Sequence, residues 1–168
     1  MALEAANRFV SKPLDHEIVL EGFAAAHVPG RLETVRLHGE DAVPVVIDVA
    51  HNPDGMSALV TSLVEAFAFE RAVFVVGILG DKDYRGMLTE LTRVPCSVIV
   101  TTPSNVRSVD IDELTSTATG LGLECVAEPN VITAVDGALD EARAGELVCV
   151  TGSHYVVGEA RAHLVSGP

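Results

Sequence analysis

The chain has 168 residues, 48% of them apolar, and a formal net charge of -13. That length predicts one domain with a sizeable core, or one domain and a small appendage. The charge argues against a nucleic-acid partner, whose phosphates need a positive surface. No run of about 20 apolar residues predicts a membrane span. No charged-then-apolar leader opens the sequence, so the expected location is the cytoplasm. Cys96, Cys125 and Cys149 fall in or beside apolar runs without a short pair spacing. Buried inert thiols are expected, not a zinc site or a disulfide framework.

In chain order, residues 1–26 read as two short helices, Ala2 to Val10 and a second from about Asp15 with Ile18, Val19 and Phe23 on one side. Lys12-Pro13 separates them and Pro29-Gly30 ends the segment as a turn. This piece is too poor in large apolar residues for its own core, so it packs on the body of the domain or on a neighbour outside the chain. Leu32, Val35 and Leu37 then predict a half-exposed strand, and Gly39-Glu40-Asp41 a turn. Val45 to Val49 predicts a second strand, antiparallel to the first.

Met56, Leu59, Val60, Leu63 and Phe67 place one apolar stripe on a helix over Asp54 to Phe67. Strands and helices alternate from there. Ala72 to Leu79 is a strand buried on both faces, and Tyr84 to Leu91 a helix. Ser97 to Thr101 is a strand, and Asp110 with Glu113 gives a capping-box start to a helix through Leu121. Leu123 to Val126 is a strand, Val131 to Leu139 a helix, Leu147 to Val150 a strand, and a last helix runs to about Leu164. Repeated units of this kind require right-handed crossovers. They predict an α/β fold with a mainly parallel sheet and helices on both faces.

Asp48-Val49-Ala50-His51-Asn52-Pro53 stands where a buried strand meets a helix. Asn52 suits the N-cap and Pro53 the first helical position. An acid and an imidazole thus sit at a strand's carboxyl end beside free helix-start N–H groups, where such folds bind ligands. Equally, Asp48 and His51 could only satisfy turn hydrogen bonds. Other polar residues also follow strand ends: Gly80-Asp81-Lys82-Asp83, Thr102-Ser104-Asn105 and Thr151-Ser153-His154. In a parallel sheet these loops share one edge. Lys82 is a point charge suited to a carboxylate or phosphate, or a surface lysine paired with Asp81 or Asp83. Thr151-Gly152-Ser153 could bind an anion at a helix start or cap that helix. Arg31, after Pro29-Gly30, could be a bidentate donor or a solvated arginine in a turn.

No P-loop, dinucleotide fingerprint, His-Glu-x-x-His or Gly-x-Ser-x-Gly motif is present. The pattern is a ligand-binding half-site without a complete catalytic apparatus.

Four segments carry a resemblance: Pro29-Gly30-Arg31-Leu32-Glu33, Asp48-x-Ala50-His51-Asn52-Pro53-Asp54-Gly55, Gly77-Ile78-Leu79-Gly80-Asp81-Lys82-Asp83, and Thr151-Gly152-Ser153-x-Tyr155-x-Val157-Gly158-Glu159. Together they resemble the C-terminal domain of the Mur ligase superfamily, and within it the folylpolyglutamate synthase/dihydrofolate synthase branch. Asp-x-Ala-His-Asn-Pro also looks like other members, including cyanophycin synthetase; the Asp-Lys-Asp and Ser-x-Tyr segments favour the folate branch.

The resemblance implies a Rossmann-like three-layer sandwich whose mostly parallel, six-stranded sheet has an antiparallel first strand. It implies ATP-dependent transfer of L-glutamate to a folate through an acyl phosphate. Arg31 and Asp48 would contact ATP; Lys82 and Ser153 would hold the incoming amino acid's carboxylate, with His51 and Asn52 lining the same cleft. Magnesium and the P-loop would belong to a central domain outside this chain. No metal ligand and no catalytic residue is expected in this domain alone. Residues 1–28 would be a linker or the tail of that central domain, residues 29–168 the C-terminal domain, and the isolated chain inactive. Val49 stands where the folate enzymes usually carry glycine. Two other readings stay open: a stand-alone binding or regulatory module, and a ligase for a different amino acid.

Overall fold

The computed structural model describes residues 2–10, 14–26, 28–35 and 43–165. The expected separator Lys12-Pro13, Leu37 of the first strand and the turn at Gly39-Glu40-Asp41 lie outside the described residues.

Strands β1 (Glu33–Val35), β2 (Val45–Ile47), β3 (Arg71–Val76), β4 (Cys96–Val100), β5 (Glu124–Ala127) and β6 (Glu146–Thr151) make one sheet in the order β1-β2-β6-β3-β4-β5. β1 is antiparallel to β2, with Glu33 opposite Ile47, and the other pairings are parallel. The expected mixed sheet is therefore observed. Because side chains alternate along a strand, Phe74 and Val76 face one layer and Val73 and Val75 the other. The first layer holds α3 (Pro53–Ala66), α4 (Tyr84–Leu91) and α5 (Ile111–Gly120), packed through Met56, Met87, Leu88 and Leu114. The second holds α6 (Val131–Glu141) and α7 (His154–Val165), packed through Val135 and Val156.

This winding positions the site. β2, β3, β4 and β5 are joined through α3, α4 and α5 on one face. The chain then returns through α6 on the other face and inserts β6 between β2 and β3. The connections leaving β2 and β3 go to one side, and the one leaving β6 goes to the other. Crevices therefore open at the carboxyl ends of these three strands, the switch point where α/β sheets hold ligands.

Several boundaries differ from expectation. β3 ends at Val76, not Leu79, because Gly77 is wedged between neighbours. A Cβ there would lie 2.5 Å from Val156 Cγ2 and 2.8 Å from the Thr101 carbonyl oxygen. Leu79 instead forms an isolated antiparallel bridge with Ser108. β2 stops at Ile47, not Val49: Asp48 N still donates to Val150 O at 3.0 Å, but Val49 N turns to Gly30 O at 2.8 Å. Leu32 is not strand at all but takes φ +43°. The Asp110–Glu113 box is half made. Asp110 caps the N–H groups of Asp112 and Glu113, while the Glu113 carboxylate accepts from the Tyr84 hydroxyl at 2.6 Å.

Of the cysteines only Cys149 is fully buried; Cys96 and Cys125 are partly exposed, and all three are free thiols. Burial pushes all three thiols up, Cys96 to about 11 and Cys149 furthest, with the Asp48 carboxylate adding to the effect on Cys149.

Helices α1 (Ala2–Phe9) and α2 (His16–Ala25, capped by Asp15) form as expected. Among their described side chains Ile18 and Phe23 are each 65% exposed. No helix among the described residues is long and apolar enough to cross a membrane.

Candidate functional site

Two cavities lie at the carboxyl edge of the sheet, and His51 lines both. The first, about 450 Å³, is bordered by Arg31, Asp48, His51, Asn52, Asp54 and Ser62 among others. The second, about 350 Å³, is bordered by His51, Asp81, Lys82, Arg107, Ser153 and Tyr155 among others. Both are within the usual size of small-molecule sites. Each of the six residues singled out from the sequence lines one of them, and only His51 lines both.

The loop after β2 is built by its own side chains. Asp48 is half-buried; Oδ2 accepts from Leu32 N at 2.8 Å and Oδ1 from Ala50 N at 2.8 Å. The bond to Leu32 holds a non-glycine residue in the left-handed region, where the backbone is strained. The turn reading of Asp48 is thus correct as far as it goes, yet each carboxylate oxygen keeps a further lone pair. His51 Nδ1 lies 2.9 Å from Val49 O. A carbonyl can only accept, so Nδ1 carries the hydrogen and Nε2 of the neutral ring is left as an acceptor. Asn52 caps α3 through Oδ1, which accepts from Gly55 N at 2.7 Å, with Pro53 in the first turn.

The turn that presents Arg31 is fastened from two sides. Gly30, at φ +72°, donates its N–H to Glu33 Oε2 at 2.7 Å. Both Glu33 oxygens accept from Arg161 on α7, through Nε at 2.9–3.1 Å and Nη2 at 3.0 Å. The guanidinium of Arg31 is exposed and borders the first cavity. Val49 packs beneath the turn with Ile47 and Val157. Its backbone is ordinary, since Leu32 alone among the described non-glycine residues has positive φ. Valine is therefore tolerated without displacing Asp48.

In the second cavity Lys82 Nζ pairs with Asp81 Oδ2 at 2.9 Å. The ammonium holds the Asp81 carboxyl below its usual value, with Arg107 adding a smaller pull. The paired-lysine reading is met, but Lys82 still borders the cavity. Ser153 is buried and its Oγ accepts from Val156 N at 3.2 Å, capping α7. Thr151, expected beside it as a second hydroxyl, is wholly buried; its Oγ1 has no partner and it borders neither cavity. Of the Thr102–Asn105 group, none borders either cavity; Arg107 from the same loop does. The rings of His51 and His154 lie 5.2 Å apart, tilted by 48°.

Sequence reasoning overlooked Arg107 and Arg161, and placed Leu32 in a strand. Arg161 and Glu33 are 128 positions apart, and no local pattern joins them. Arg107 stands beyond the polar group that drew notice. Leu32 had the composition of a strand residue and gave no signal of its φ.

The family model described as "Mur ligase, glutamate ligase domain" matches residues 30–154. The chain belongs to this family. A dihydrofolate synthase/folylpolyglutamate synthase of Mycobacterium tuberculosis is 36% identical over 165 residues, covering 89% of this chain and 33% of that protein. A UDP-N-acetylmuramoyl-L-alanyl-D-glutamate–2,6-diaminopimelate ligase of Prochlorococcus marinus is 30% identical over 176 residues, covering 96% of this chain and 34% of that protein. A crystal structure of the Mycobacterium tuberculosis folylpolyglutamate synthase, complexed with ADP and AMPPCP, superposes with a TM-score of 0.87 at 35% identity, covering 99% of this chain and 39% of that one. This glutamate ligase domain thus spans about a third of the length of the relatives it matches. The fold expected from the four segments is the fold of these ligases.

Proposed function

We propose that this domain is the nucleotide- and amine-binding part of an ATP-dependent amide ligase that adds L-glutamate to a folate. The observation that supports this best is the pair of cavities meeting at His51, one bordered by Asp48 and Arg31 and the other by Lys82 and Ser153. In this reading Asp48 accepts from the ribose hydroxyls of ATP through lone pairs its backbone bonds leave free. Arg31 meets the nucleotide, whose charge its exposed fork suits. Lys82 and Ser153 hold a carboxylate of the amino acid, and His51 and Asn52 line the passage between nucleotide and amine. A phosphorylated substrate carboxylate is then attacked by the amine, which expels phosphate and leaves an amide. The domain contributes by holding ATP and amine in register, so proximity and exclusion of water supply the rate.

Magnesium is a different matter. Among the described residues no three His, Cys, Asp or Glu side chains gather closely enough to hold a metal ion. We place the metal, the P-loop and the phosphoryl chemistry on a separate domain, as the resemblance implies, and read residues 1–28 as linker or tail of it and 29–168 as the ligase domain. The working compartment in this reading is the cytoplasm.

The test joins this chain to a P-loop central domain and measures ADP release that depends on both glutamate and folate. Release sustains the proposal, and none with any folate sinks it. The identity to a diaminopimelate-adding ligase favours a second reading, a different amino acid. Aspartate or lysine replacing glutamate in the same assay separates the two. The isolated chain should turn nothing over and should bind ATP more weakly than a Kd of about 1 μM.

A further inference from the structure

We infer that Arg161 is a positioning residue of the first cavity: through Glu33 it fixes the turn that aims Arg31 at the charge of a nucleotide. This rests on the proposed nucleotide site and goes beyond it by naming what holds that site's arginine in place.

No hydrogen bond or ion pair with a described residue directs the Arg31 side chain, so the reach of its fork is set by the backbone that carries it. That backbone is left-handed on both sides. Gly30 has φ +72° and Leu32 φ +43°, and a non-glycine residue stays in that region only where its surroundings over-determine it. Leu32 is held by the Asp48 carboxylate, which takes its N–H at 2.8 Å. Gly30 is held twice: its carbonyl accepts from Val49 N at 2.8 Å, and its N–H donates to Glu33 Oε2 at 2.7 Å. Two of these three ties come from the segment that follows β2. The third ends on a carboxylate whose own position has to be set.

Arg161 sets it. Nε donates to Glu33 Oε2 at 2.9 Å and to Oε1 at 3.1 Å, and Nη2 donates to Oε1 at 3.0 Å. The Glu33 side chain is only 13% exposed. Fork geometry and burial together separate this pair from open surface pairs, which contribute little. One turn earlier on α7, Val157 packs with Val49 beneath the same turn, and a Cβ on Gly30 would lie 3.0 Å from Val157 Cγ1. Positions 157 and 161 are neighbours on one helix face. That face of the last helix therefore carries both the apolar seat and the charged tie for a turn that precedes the first strand. Arg161 borders neither cavity itself, so it acts through the turn and not on a ligand.

The experiment titrates the 168-residue chain with ADP and with adenosine, following backbone amide shifts by NMR. ADP carries the charge that Arg31 would meet, and adenosine lacks it. R31M should weaken ADP about tenfold, the loss of one charge-assisted bond. R161M should weaken ADP about fivefold and leave adenosine within twofold of wild type. In the R31M background R161M should add less than twofold, because the side chain it positions is gone. R161K keeps one charged bond to Glu33; it should bind ADP between wild type and R161M, and it carries the same comparisons if R161M does not fold. R71M removes an ion-paired arginine at the opposite end of the sheet and should leave ADP within twofold. Wild-type ADP affinity in R161M, losses that multiply in the double variant, an equal loss of adenosine, or an equal loss in R71M each overturns the role of Arg161 and leaves the nucleotide site standing. An R31M chain with wild-type ADP affinity also overturns it, since there would be nothing to position. No ADP shift at residues 30–33 or 48–62 of wild type overturns both.

Discussion

Gly152 sits where β6 passes into α7, against the end of β3, and replacing it by alanine should be far more damaging than its loop position implies. Its φ is +105°, and a Cβ would lie 2.8 Å from the Gly77 carbonyl oxygen and 3.2 Å from both Gly77 C and N. All three are backbone atoms, so no side chain can swing away. The left-handed backbone costs about 1–2 kcal/mol for an L-residue, and forcing a methyl into a filled space adds about 1–3 kcal/mol. Together Gly152→Ala should lose about 2–5 kcal/mol, a large share of the roughly 5–15 kcal/mol that stabilises an ordinary domain. Gly122 supplies the control: its φ is +82° but no atom lies within 4 Å of its Cβ position. Gly122→Ala should therefore lose only the backbone part, about 1–2 kcal/mol. Gly158, exposed in α7 with ordinary φ and open space around it, should gain about 0.5–1 kcal/mol as alanine. Urea unfolding followed by circular dichroism measures all three. A Gly152→Ala chain no less stable than Gly122→Ala would refute the reasoning, because it would mean that the Gly77–Gly152 approach is not close-packed.

Three further outcomes are expected. Asp48→Ala should destabilise the domain by about 1.5–3 kcal/mol, because the N–H groups of Leu32 and Ala50 lose a charged acceptor. A wild-type melting temperature for that variant would show the carboxylate to be free for ligand alone. The Asp81 carboxyl is held low chiefly by Lys82, so what this pair adds to stability is present above about pH 4 and lost as pH falls through the lowered value. In K82M the Asp81 titration, followed by carbon NMR, should move up toward an ordinary carboxylate, and an unchanged titration would remove the pair. In native protein a thiol reagent should modify Cys96 and Cys125 well before Cys149, which is fully buried, and should reach Cys149 only on unfolding. Equal rates, resolved by peptide mapping, would contradict the packing of β6.

Much of the fold was legible because period and punctuation agree. The β-branched run from Ala72 could only be a buried strand, and Asn52-Pro53 before an apolar stripe could only begin a helix; both are observed. Boundaries were less legible where a contact from elsewhere intervenes. Gly77 ends β3 because Val156 and Thr101, remote in sequence, fill the space beside it. Leu32 leaves the strand because a carboxylate 16 positions away takes its N–H. The capping box at Asp110 is only half made because Tyr84, from another helix, captures Glu113.

The site divides in the same way. By itself the sequence determined that Asp48, His51, Asn52, Lys82 and Ser153 stand at the carboxyl ends of strands, and that Arg31 follows a Pro29-Gly30 turn, because strand and turn signals are local. It also determined the chemistry those residue types allow. Only the tertiary structure decided that they sort into two cavities meeting at His51, since that depends on β6 inserting between β2 and β3. Only the structure brought Arg107 to Lys82 and Arg161 to Glu33, because strand order and helix packing are long-range outcomes that no spacing along the chain records.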